Sequence, residues 1–111
     1  LTDRASVEGY RGCPFVNVSA EFPDANHPAR QCVARNKTEL MARLLALTTA
    51  AGADDPAYLA NALALLIEGI YAASQTYGPG CGPVQAAPRL AAQLLAAACP
   101  GACSRPADGQ A

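Results

Sequence analysis

The sequence predicts an all-α fold, a four-helix bundle, on three observations. Pro14, Pro28, Pro56 and Pro83 each head a stretch whose apolar residues recur at helical spacing. Proline suits the first helical position, where its missing N–H would have had no partner. Hydrophobic residues make up 51% of the chain and aromatics only 5%, so the core must come from Leu, Ala, Val and Ile. Such small side chains let helices approach closely. Gly52 and the run GPGCGP supply breaks that no helix can cross.

The 111 residues suffice for one domain with a single core. Residues 1–12 read as a linker, the remnant of an upstream region. The first helix is expected over Pro14 to Phe22, ended by Pro23, which disfavours helix in the residue before it. Phe15, Val18 and Phe22 give it a one-sided aromatic face. The second runs from Pro28 to Ala51, with Val33, Leu40, Met41, Leu44, Leu45 and Thr48 on one side. Glu39 and Arg43 are expected to pair across one turn on its other side.

The third helix, Pro56 to Tyr77, carries two apolar stripes. One is Leu59, Leu63, Leu66, Ile67 and Ile70; the other is Tyr58, Ala62, Leu65, Gly69 and Ala72. A helix apolar on most of its circumference is covered from several directions, and a chain this short cannot cover all of it. The fourth, Pro83 to Ala98, sets Leu90, Leu94 and Leu95 among alanines. Asn26-His27 and Asp54-Asp55 precede helices as caps. The structured domain thus spans residues 13–99, and 100–111 read as a flexible tail.

Composition narrows the function. The formal net charge is −1 and the Lys and Arg residues are scattered, with no basic face or groove-entering motif for nucleic acid. LTDRASVEGYRG lacks the apolar region of a signal peptide. Arg43, Glu68 and the Gly/Pro breaks interrupt each apolar run before the ~20 residues a bilayer needs, so no membrane partner is expected. Five cysteines without a CxxC pair read as reduced structural thiols, ahead of a redox or metal role for Cys99 and Cys103. No metal or cofactor is expected. One histidine, His27, leaves no base for Ser-His or Cys-His catalysis, which argues against an enzyme. GPGCG follows a helix and not a strand, so it is no phosphate cradle.

Glu68, inside the most apolar helix, has two readings: a solvent-facing edge with Asn61 and Gln75, or a polar group in a pocket or interface. The aromatic face of the first helix, set against Val33, Met41 and Leu44, can close a core or wall a cavity. Asn17, Glu21, Arg35 and Tyr71 are the candidate polar anchors of such a cavity.

GCPFVNVSAEFPDANHPAR, a long amphipathic helix and then DDPAYLANALALLIEGIYAASQTYG together resemble the C-terminal half of TetR/AcrR-family transcriptional regulators. In that family a Gly-Cys, an apolar residue and an Asn open one helix, and a D/N-HP turn leads to the next. A long apolar helix with an internal break follows, here Ile67-Glu68-Gly69, and then an Ala/Leu helix, here PVQAAPRLAAQLLAAA. The likeness covers roughly residues 9 to 99.

The resemblance implies a cytoplasmic ligand-sensing and dimerisation domain of a repressor. The last two helices would form the homodimer interface, here Leu63, Leu66, Ile67, Ile70, Leu90 and Leu94. Upstream helices would enclose a small hydrophobic effector, here with Phe15, Asn17, Phe22, Met41, Leu44 and Tyr71. The family's N-terminal helix-turn-helix and two of its pocket helices have no counterpart in the sequence. DNA contact is therefore expected only through a head outside this chain. A small helical adaptor that uses the same apolar stripe for another protein is the alternative; a secreted, cysteine-linked helical protein is a more distant one.

Overall fold

Proline stands at the first or second position of each of the four longer helices, three starting at the predicted residue and the last one residue earlier, at Gly82. The structure, a computed structural model, describes residues 1–102. Its helices are α1 (Thr2–Ala5), α2 (Pro14–Glu21), α3 (Pro28–Ala50), α4 (Pro56–Thr76) and α5 (Gly82–Ala98), followed by a 3-10 turn over Pro100–Ala102. There is no strand among the described residues. The fold is all-α. Residues 103–111, with Cys103 and most of the expected tail, lie outside the described residues.

The caps explain the boundaries. The Asp55 carboxylate accepts from the Tyr58 N–H at 3.0 Å and closes the first turn of α4. His27 Nδ1 does the same for the Ala29 N–H of α3 at 3.1 Å. At its far end α3 is stopped by Gly52, whose φ of +76° lies in the left-handed region. The Arg30 guanidinium donates to the Phe22 and Pro23 carbonyls and fixes the corner between α2 and α3.

Two segments differ from expectation. Residues 1–12 are more than a connector: α1 drives Ala5 into the core, where it is fully buried. The Gly80 N–H donates to the Ala5 carbonyl at 3.4 Å and holds α1 against the turn before α5. A four-residue helix is too short to form alone, so tertiary contact sustains it. Pro100–Ala102, expected as tail, continues instead into the 3-10 turn after α5.

Helix α4 is the centre of the bundle. It packs against α1, α3 and α5, while α2 leans on α3. Ala5, Ile70, Val84 and Ala87 form the buried cluster, with Tyr10, Leu66, Ala73 and Cys81 half-buried around it. At the other end of α4, Leu59 is 1% exposed. Nearby, the buried Thr48 hydroxyl donates to the Pro56 carbonyl at 2.8 Å, tying α3 to the start of α4. Of the two apolar stripes on α4, the one with Leu59 and Ile70 is turned inward. The other stays uncovered, with Tyr58 66% and Leu65 75% exposed.

One exclusion made from sequence needs correction. By length and composition α4 is apolar enough to cross a bilayer, since Glu68 is its single charged residue. Within this fold, however, α3 lies along it carrying Arg30, Arg35, Lys37, Glu39 and Arg43. Hydrocarbon would not accept such a neighbour at low cost.

The inward and outward stripes predict opposite mutational costs. Leu59→Ala is expected to destabilise by about 2–5 kcal/mol through the cavity it leaves. Leu65→Ala should stay within about 0.5 kcal/mol at concentrations low enough to keep the chain monomeric. Urea unfolding of both variants checks this, and equal costs would contradict the assignment of faces.

Candidate functional site

Where α1, α2, α3 and α4 converge, the helices leave a cleft of about 450 Å³. That is within the ~300–1,000 Å³ of small-molecule sites. Helix α2 contributes Phe15 from its first turn, and α4 contributes Ile67 and Tyr71 from its second half. Helix α3 contributes Asn36, Lys37, Glu39, Leu40 and Arg43. The remaining wall comes from the N-terminal segment, with Arg4, Tyr10 and Gly12.

The Tyr10 and Tyr71 rings stack across the N-terminal wall and α4, with centroids 6.5 Å apart and planes inclined by 23°. The Tyr10 backbone is pinned as well: Gln75 Nε2 donates to its carbonyl at 2.9 Å. Gly12, with φ +78°, faces the Gln75 side chain. A Cβ there would come within 3.2 Å of Gln75 Cγ. Burial, reinforced by the Tyr71 phenol, pushes the Tyr10 hydroxyl above its usual 10.0, and Arg4 opposes the shift. Tyr10 therefore remains a neutral donor beside the cleft.

Lys37 and Glu68 form an ion pair that links α3 to α4. It answers the two readings of Glu68: the carboxylate sits half-buried on a helix–helix seam with a partner. At this exposure the pair adds little stability, about 0–1 kcal/mol. It is the one ion pair among the described residues, so the expected Glu39–Arg43 pair does not form. Arg4 and Arg43 thus bring charge to the cleft without a carboxylate bound to either.

Of the residues expected to bind an effector, Phe15 and Tyr71 line the cleft. Asn17 does not: its amide donates to the Arg11 carbonyl at 2.9 Å, bracing the start of α2. Phe22 turns away and stacks on His27, with centroids 4.4 Å apart. Met41 and Leu44 are half-buried on α3 but outside the lining, where Leu40 takes the apolar position instead. Glu21 and Arg35 are exposed and likewise outside it. Arg4 and Tyr10 were missed because they lie in the segment read as a linker.

The residues expected at a dimer interface divide. Ile70 is 7% exposed and belongs to the core of its own chain, and Leu66 packs on that core. This corrects the assignment of Ile70 to a dimer interface, since α1 and α5 fold onto that stripe, whereas the half-buried Leu66 still borders a hollow toward α5. Leu63 and Ile67 line a shallow hollow against Ala87 and Pro88 of α5. Leu90 is 45% exposed, and Leu94 borders a second hollow with Asp54, Asp55 and Tyr58. Of the cysteines, Cys13 and Cys99 are buried, Cys81 is half-buried and Cys32 is exposed; all four are thiols. Among the described residues, no group of three His, Cys, Asp or Glu is placed to hold a metal ion.

No protein-family description, no curated protein and no solved structure matches the chain.

The raised Tyr10 ionisation gives a pH signature. The folded state holds the Tyr10 proton more tightly than the unfolded chain does. Its contribution is complete below pH 10.0 and is lost as pH rises through the folded value. Denaturant melts above that pH should show stability falling more steeply in the wild type than in Tyr10→Phe; parallel profiles would refute the environment described.

Proposed function

We propose that the chain is the ligand-sensing and self-associating domain of a TetR-like transcriptional repressor, whose DNA contact is made by a separate head. The observation that carries the sensing part is the cleft with Phe15 and Tyr71 on facing helices. It is bounded by four elements at once, so an occupant bears on how they pack. A ligand that favours one packing shifts the population toward it, by as much as its affinities for the two packings differ. The repressor part is supported by the order and spacing of the motifs from Gly12-Cys13 to the Ala/Leu helix. Four free thiols fit a reducing cytoplasm.

Self-association is supported by the apolar surface that α4 and α5 leave uncovered. Tyr58, Leu65, Leu90 and Leu95 are each more than 40% exposed. Gly69, on the Tyr58–Leu65 stripe, has open space where a Cβ would stand. A second helix can approach closely over that point.

Sedimentation equilibrium tests the reading. The 111-residue chain is expected to dimerise, and Leu65→Glu to be monomeric with unchanged helical circular dichroism. A wild type that stays monomeric at every concentration would sink self-association, leaving the stripe to a different partner, as in the adaptor alternative.

A further inference from the structure

The charges around the cleft carry its reading further than a generic apolar effector. Three of the chain's eight Lys and Arg residues, Arg4, Lys37 and Arg43, line it, although the chain as a whole is net negative. Lys37 is neutralised by Glu68. Glu39, the one carboxylate in the lining, is not ion-paired to Arg43. Set against Glu39, Arg4 and Arg43 leave one excess positive charge.

The same lining holds apolar and aromatic side chains, Phe15, Leu40, Ile67 and Tyr71. We infer that the cleft selects an amphipathic organic anion, a carboxylate on an aromatic or branched apolar body. This rests on the sensing reading above and adds the ligand's charge to it. The body lies on Phe15, Leu40 and Ile67, and the carboxylate turns to the guanidinium groups. A guanidinium presents its N–H donors as a fork that matches a carboxylate's two oxygens. The Tyr10 phenol, kept protonated, is a further donor in the lining. A neutral ligand of the same shape would gain the apolar contact and leave the charge unanswered.

The test compares naphthylacetate with naphthylacetamide, which share a shape and differ in charge, by calorimetric titration into the full chain. The acid is expected to bind about tenfold more tightly than the amide, one charge-assisted contact's worth. Higher salt should erode that advantage. Arg43→Met and Arg4→Met should each weaken the acid and leave the amide unchanged, whereas Phe15→Ala should weaken both. Both arginines are exposed, and circular dichroism checks that the variants keep their helices. Equal affinity for acid and amide, or wild-type acid affinity in both arginine variants, would overturn the anion preference and leave the sensing reading standing. No heat or displacement with either compound would overturn both.

Discussion

The bundle depends on one constraint, the burial of a helix that is apolar on almost every side. Helix α4 has a single charged residue in 21 and cannot turn a polar half to water. The rest of the chain is disposed around that fact. Helix α5 and the single turn α1 cover the stripe that includes Ile70, and α3 covers the next sector. Alanine makes this possible, with Ala5, Ala60 and Ala87 buried where bulkier side chains would hold the axes apart. The same economy leaves few large side chains fully buried, with Leu59 and Val84 foremost. Stability therefore comes from close approach and from capped ends as much as from bulk.

The polar groups follow from the same arrangement. Glu68 would be costly on α4 without a partner, and Lys37 of α3 provides it at the seam. With Lys37 engaged, the arginines nearby keep their charge for the cleft. The aromatic residues divide in a similar way. Phe22 serves the corner beside His27, while Phe15, Tyr10 and Tyr71 are gathered at the cleft. Two phenylalanines seven residues apart, one in the first turn of α2 and one at its C-cap, thus have separate duties.

Most of the architecture was legible because its signals are local. Proline at helix starts, Asp55 and His27 as caps, and Gly52 as a stop each act within one turn, and the structure follows them closely. The segment before Cys13 was illegible for the opposite reason. Nothing in LTDRASVEGYRG is strongly helical, and long-range contacts give it form, among them Ala5 in the core and the bonds to residues 75 and 80. The two stripes of α4 could be drawn from spacing, but spacing alone does not say which one a neighbour will cover. That choice reversed Ile70's role. The cleft was half legible: Phe15 and Tyr71 follow from helix faces, whereas Arg4 and Tyr10 arrive through a fold-back that no periodicity announces.

Gly12 has a consequence that concerns motion. Its backbone is left-handed, and a Cβ there would make the Gln75 side chain give way on its path to the Tyr10 carbonyl. One wall of the cleft, the span between the buried Ala5 and Cys13, is thus tied to α4 by the Gln75 bond and the Tyr10–Tyr71 stack, while the α3–α4 wall is part of the bundle proper. Regions held by few buried contacts open at lower free energy than the core behind them. The mostly exposed residues between Ala5 and Cys13 are therefore the part of the wall that loosens first, with α1 and the other helices still packed. Entry and exit of a ligand would then be timed by the breaking and remaking of the Gln75 clasp, separately from the lifetime of the fold.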